Sequence, residues 1–336
     1  MSELLRNLSS YVHAQAERDV HVVLARNDLD EMPMILAAAE PRQAEADLEG
    51  RCIDAVRVGD AQPGKLAYFM DGMQRPRGPI YFGSQLPVMY GYVAATIRVR
   101  GEDKRMRKHD FIRRESLYFP YDFPGAPMKL ADAGFDIVDT GERGKSPEEH
   151  PLMLVERAKN KIGVVRSDLE SRITSTWLSD FNGRDDWLLV DGSLSGDYHR
   201  YDSPNIVGLI KSHQTQYFLW EDQQKILSLK TGERSGVFIP KGRNRPDVYS
   251  WYLRLRPNDG RDVYFGLVRV EAAKCERTLE MADEISRWLL AERSPLSMPD
   301  ARWDRLIYPI HDCELYMKSV APSHTSLDSL MISLAN

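Results

Sequence analysis

Two aspartates in this chain follow short apolar runs and are followed at once by glycine. Asp71 closes KLAYFMD and Asp191 closes WLLVD, each leading into Gly. Four or more apolar residues punctuated by Gly read as a buried strand reaching a sheet rim, so each acid is expected at such a rim. A third acid, Glu170, falls on the flank of a long helical pattern, beside Leu169 on its apolar stripe. Two rim carboxylates and a helix carboxylate around one point form the oxygen-rich set that Mg²⁺ or Mn²⁺ takes. Ions held there can orient a water and neutralise charge developing on a phosphodiester. The competing reading of each acid alone is an ordinary Asp-Gly turn. Lys211, at the end of VGLIK, would sit near the same rim as a point charge for phosphate, or else as a solvated strand-end lysine. Arg269 and Glu271 alternate on one strand and read equally as a surface ion pair or as part of a site.

Other chemistries are poorly supported. GSLSG at 192–196 does not fit a nucleophile elbow, and neither Gly-rich phosphate-loop pattern occurs. Cys52, Cys275 and Cys313 are far apart and share no ligand spacing with histidine, which disfavours zinc and disulfides and fits a reducing cytoplasm.

The elements that must carry these residues are mixed. The chain has 336 residues, 42% hydrophobic and 28% charged, which fits one large α/β domain or two interleaved lobes. Residues 65–71, 78–101 and 111–119 read as an antiparallel meander. Residues 151–181 form the longest helical pattern, with Val155, Ala158, Ile162, Val165, Leu169, Ile173 and Trp177 as its stripe. Strands at 187–191 and 203–213 follow, then a hairpin about PNDGRD and helices over 277–293 and the tail. Residues 2–18 read as an amphipathic helix suited to docking or dimerisation, and no stretch suggests a signal peptide or membrane span.

Basic charge is distributed unevenly. The net charge is −5, yet residues 98–114 hold eight Lys or Arg against three acids. Arg98, Arg100, Lys104, Arg105, Arg107 and Lys108 could form a phosphate-contacting edge or a solvated hairpin tip. In the tail, Tyr308, His311, Asp312 and Tyr316 follow i, i+3, i+4 and i+8 spacing, with Pro309 in the first turn, and could share one helix face that completes a metal shell or positions a phosphate.

MDG, then a helix with Arg166 and Glu170 in R-x-x-x-E, then LLVDGSL, VGLIKS, YLRL, VRVE and a YP helix, in that order, resemble the NurA nuclease family. The resemblance spans about residues 60–320. It implies an RNase H-like mixed sheet flanked by helices, with additional β-hairpins and helical termini. Segments 1–60 and 321–336 would lie outside that nuclease domain, assigned to 61–320. It further implies a Mn²⁺- or Mg²⁺-dependent 5′ to 3′ exonuclease and single-strand endonuclease. The expected partners are DNA, a second copy of the chain and a hexameric HerA-type ATPase, in DNA end processing or phage defence. Asp71, Glu170 and Asp191 correspond to the metal ligands, with Tyr308 the motif tyrosine. The family's Asp-Gly-Ser is Asp-Gly-Met here, and the family's histidine two turns after the YP tyrosine falls on Tyr316, leaving His311 or His324 to substitute. The rival expectation is a catalytically impaired subunit that binds DNA or the motor.

Overall fold

The computed structural model describes residues 44–45, 48–49, 53–82, 86–124, 126, 131, 134–142, 150–181, 184–194, 198, 204–213, 215–241, 248–294, 303–323 and 325. The expected helix at 2–18, the tail after 325 and His324 lie outside the described residues.

Residues rich in Tyr, Val, Ile and Thr build a long antiparallel meander: β3 (Leu66–Phe82), β4 (Leu86–Arg100) and β5 (Met106–Phe119). It is preceded by two-residue strands β1 (Ala44–Glu45) and β2 (Val56–Arg57) and followed by β6 (Ile137–Asp139). Helix α1 (Pro151–Phe181) then crosses over to β7 (Trp187–Asp191), and β8 (Ile206–Ile210) follows. Both β7 and β8 are apolar and covered on both faces, as buried parallel strands require. The remainder comprises α2 (Trp220–Leu227), β9 (Glu233–Arg234), β10 (Ile239–Pro240), β11 (Val248–Arg254), β12 (Leu267–Ala273), α3 (Glu276–Glu292), a 3₁₀ turn (Trp303–Arg305) and α4 (Tyr308–Val320).

Ten strands form one sheet in the order β2-β9-β11-β12-β8-β7-β3-β4-β5-β6, while β1 pairs with β10. Its centre, β5-β4-β3-β7-β8, is an antiparallel meander followed by two strands parallel to its first, with α1 as the crossover. That is the RNase H-like arrangement expected, extended by the antiparallel strands β12 and β11. Within the segment assigned to the N-terminus, Ala44–Glu45 and Val56–Arg57 pair with β10 and β9, and Glu49 forms an ion pair with Arg234.

Strand alternation sorts the core into two layers. Tyr68, Met70, Leu188 and Val190 face α1, where Ile173, Trp177 and Leu178 pack on them. Phe69, Leu189, Val207 and Leu209 face the opposite side, against Ile285, Leu289, Ile310 and Cys313 of α3 and α4. The stripe read from the sequence is the buried face of α1, with Leu169 only partly buried at its edge. Among the described residues, no helix is long and apolar enough to cross a membrane.

One local expectation is corrected. Asp71 does not end a strand: β3 runs on to Phe82 as a single strand of 17 residues, with a register shift between Arg77 and Ile80. Its partner β4 matches it across that length, so Gly72 does not interrupt the ladder. The rim at Asp71 arises because the parallel neighbour β7 stops at Asp191.

Candidate metal centre and its basic cleft

Parallel pairing sets Met70 opposite Val190, which brings Asp71 and Asp191 side by side on adjacent strands. Adjacent strands are about 4.8 Å apart, so the two carboxylates emerge as neighbours on the α4 face. Asp191 in turn pairs with Leu209, and Lys211 stands just past the end of β8 on the same face. Its Nζ is 2.9 Å from Asp191 Oδ1. The Gly72 N–H donates to Asp71 Oδ1 at 2.7 Å.

Glu170 arrives from the other side of the sheet. Gly72 points toward α1, and a Cβ there would stand 1.9 Å from Glu170 Oε1. The bare glycine is therefore what lets the helix carboxylate lean across β3 toward the rim. Arg166, one helical turn earlier, is 3.4 Å from Glu170 Oε1.

The Asp191 charge raises the proton affinity of the other two carboxylates. Burial pushes the Asp71 carboxyl well above its ordinary range, and the Asp191 charge adds to this; Lys211 and the Gly72 N–H pull it back. Burial pushes Glu170 up to about 7, with Arg166 opposing and Asp191 reinforcing the shift. Hard oxygen donors crowded this way are stabilised by a cation, and the Lys211 ammonium supplies that counter-charge here. Asp71 and Asp191, with Glu170 across Gly72, thus suit a divalent ion in donor type. As they stand, no group of three or more His, Cys, Asp or Glu among the described residues is gathered tightly enough to hold one.

A cleft of about 470 Å³ opens over the pair. Its lining includes Arg75, Arg77, Arg166, Lys211, Arg305 and Lys318, six bases against the three acids Asp71, Asp191 and Glu314, besides His311. Apart from Lys211, these bases were not singled out as phosphate contacts from the sequence. Arg75 and Arg77 lie on the part of β3 that extends past the rim, and the others come from four separate segments, so no local cluster marked them.

The tail helix divides its polar residues between two places. Ile310, Cys313 and Met317 form its buried stripe, and the Cys313 Sγ–H donates to Phe69 O at 3.1 Å behind the site. His311, Glu314 and Lys318 flank the stripe on the cleft side, with His311 Nδ1 3.4 Å from Glu314 Oε2. Asp312 and Tyr316 flank it on the other side, where Asp312 pairs with Arg98 at 2.8 Å and Tyr316 lies under the Arg98 guanidinium and against Phe111. Tyr308 is 52% exposed and is not among the cleft-lining residues. The single face expected for Tyr308, His311, Asp312 and Tyr316 is therefore split, because the buried stripe runs between them.

The basic run at 98–108 also lies elsewhere. Thr96 is level with Asp71, so β4 carries Arg98 and Arg100 away from the rim. Arg98 is tied to Asp312, and Arg100 donates to both carboxylate oxygens of Glu292 at 2.7 and 2.5 Å and to Leu66 O. Arg107 forms a two-pronged pair with Asp103 at 2.9 and 2.6 Å, and Arg105 is 3.9 Å from the same acid. Lys104, at φ 63°, and Lys108 are exposed at and beside the tip.

No protein family and no curated protein matches the sequence. Among solved structures the chain is similar to the crystal structure of the NurA nuclease from Sulfolobus solfataricus. The TM-score is 0.46 at 13% identity, over 82% of this chain and 85% of that one.

Proposed function

We propose that this chain is a divalent-metal-dependent DNA nuclease of the NurA type. The observation that carries the reading is the adjacent acid pair Asp71 and Asp191 at the floor of a cleft with twice as many basic as acidic side chains lining it. A basic wall attracts a polyanion, while a half-buried acidic floor would repel it unless a cation is held between them. Mn²⁺ or Mg²⁺ would supply charge neutralisation at the phosphodiester and acidify the attacking water.

The residues then have distinct tasks. Asp71 and Asp191 would hold the ion, with Glu170 placed to approach it across Gly72. Where it does not bind the ion directly, Glu170 would instead accept a proton from the attacking water. Lys211, beside Asp191, holds a non-bridging phosphate oxygen. His311 borders the cleft from α4 and serves the leaving group or a second ion. Arg75 and Arg77 follow the DNA backbone along the extended β3, with Lys318 facing them from α4. As a homodimer with a HerA-type ATPase partner, the chain would act as a 5′ to 3′ exonuclease and single-strand endonuclease in end processing or defence. Tyr316 turns to Arg98 instead of the cleft, which favours as second reading a subunit that binds DNA or the motor without cleaving it.

The test is cleavage of end-labelled single- and double-stranded DNA by wild type and Asp191→Ala with Mn²⁺, alone and with the ATPase. Cleavage by wild type alone is expected. DNA binding without cleavage by either would support the second reading, and equal cleavage by both would remove the site.

A further inference from the structure

We infer that Glu271, two strands away from Asp191, is a positioning residue that fixes the turn carrying that aspartate. This rests on the metal-site reading above. Asp191 is the last residue of β7, and the chain reverses immediately through Gly192 at φ +114°. The turn then lies across the neighbouring strand. A Cβ on Gly208 of β8 would stand 2.7 Å from Gly192 O and 3.2 Å from Leu194 Cγ, so only a bare position lets the turn pass. On the far side of Gly208, in register with it, is Glu271 of β12. The Leu194 N–H donates to Glu271 Oε2 at 3.0 Å, and the Leu194 side chain is 2% exposed.

Glu271 is itself held. It is 2% exposed, and Arg269 Nη1 donates to its Oε1 at 2.5 Å while also donating to Ser250 Oγ at 3.1 Å. One carboxylate oxygen is thus fixed by the guanidinium and the other grips the turn. A buried charge with a defined partner is a rigid anchor, and partners one shell behind a metal ligand set that ligand's orientation. Arg269 and Glu271 are not among the cleft-lining residues, and the contact that links them to Asp191 runs through Leu194 and Gly192.

The experiment uses the full chain with Mn²⁺ alone as the probe. Mn²⁺ affinity, the hydrogen-exchange rate of the Leu194 amide and the thermal midpoint are measured for wild type, Asp191→Ala, Glu271→Ala, Glu271→Gln and Gly208→Ala. Glu271→Ala and Gly208→Ala are expected to weaken Mn²⁺ binding about 10- to 100-fold and to speed Leu194 exchange about tenfold or more. Glu271→Gln, which retains an acceptor, should recover most of both. Gly208→Ala leaves the buried ion pair intact, so it decides the matter if Glu271→Ala does not fold. A lowered thermal midpoint with unchanged Mn²⁺ affinity and Leu194 exchange in both alanine variants overturns the inference. If wild type binds no Mn²⁺, the metal reading fails separately, and Leu194 exchange alone decides whether Glu271 holds the turn.

Discussion

The β4–β5 hairpin and the cleft over β3 and β7 lie at opposite ends of the central strands and gather their basic residues in opposite ways. In the hairpin the bases are adjacent in sequence, and most have acids of their own: Arg98 with Asp312, Arg100 with Glu292, Arg107 with Asp103. Arg98 and Arg100 work as struts that seat α4 and α3 on the sheet. In the cleft the bases are scattered along the chain and meet around Asp191 and Asp71, whose carboxyl is held well above its ordinary range; Arg166, Lys211, Arg305 and Lys318 also have acids beside them, but these come from the cleft itself or its rim. Arg100 is four positions beyond Thr96, which is level with Asp71, so about 13 Å of strand intervenes before the hairpin turn begins. Local charge density therefore says little about where a polyanion binds. What matters is which bases the sheet brings to the same rim.

The sharpest break between the two ends would come from the floor of the cleft. Asp71→Asn or Asp191→Asn is expected to lower Mn²⁺-dependent cleavage by about 10³-fold, since several kcal/mol of charge stabilisation are lost, while the thermal midpoint stays or rises. Cleavage rates on labelled DNA check this. At the other end, Arg100→Ala should cost about 3 kcal/mol of stability, because Glu292 would keep a mostly buried charge without its partner. Denaturant unfolding measures that loss, and DNA affinity should not change.

Proton linkage offers a third contrast. Glu170 has its pKa raised to about 7 from 4.5, so the folded chain binds more protons than the unfolded chain between those values. Stability without metal should then fall as pH rises from about 4.5 to 7, by up to about 3 kcal/mol, and Glu170→Gln should flatten the fall. Urea midpoints across that range test the sign. Smaller still, Arg75→Ala with Arg77→Ala should weaken DNA binding about tenfold and lower the salt slope by about 2, as phosphate contacts do. Lys104→Ala with Lys108→Ala should change affinity less than about twofold. Anisotropy titrations at several salt concentrations compare the two pairs, and an inverted order would return the DNA to the hairpin.

Much of the site could be read in advance from individual residues. Asp191 closing an apolar run and Glu170 beside Leu169 on a helix flank are local patterns, set by periods of two and 3.6 residues, and both stand where those periods place them. Asp71 was recognisable as an acid facing a rim but not as a residue inside a long strand. A Gly that looks like a terminator instead leaves room for Glu170. The tail helix shows the limit of spacing arguments: the i, i+3, i+4 and i+8 relations hold, yet the core stripe of Ile310, Cys313 and Met317 sends His311 one way and Asp312 and Tyr316 the other.

By itself the sequence determined which segments become strands and helices, which of their faces turn inward, and that two Asp-Gly pairs and one helix glutamate were the acids to watch. These follow from propensity and periodicity, which act over a few residues. Only the tertiary structure decided that β7 stops beside a continuing β3, that bases from β3, α1, the end of β8, the 3₁₀ turn and α4 converge, and that the 98–108 run is largely engaged in ion pairs. Such facts depend on strand order and register, and these bring together side chains as far apart in the chain as Asp71 and Lys318.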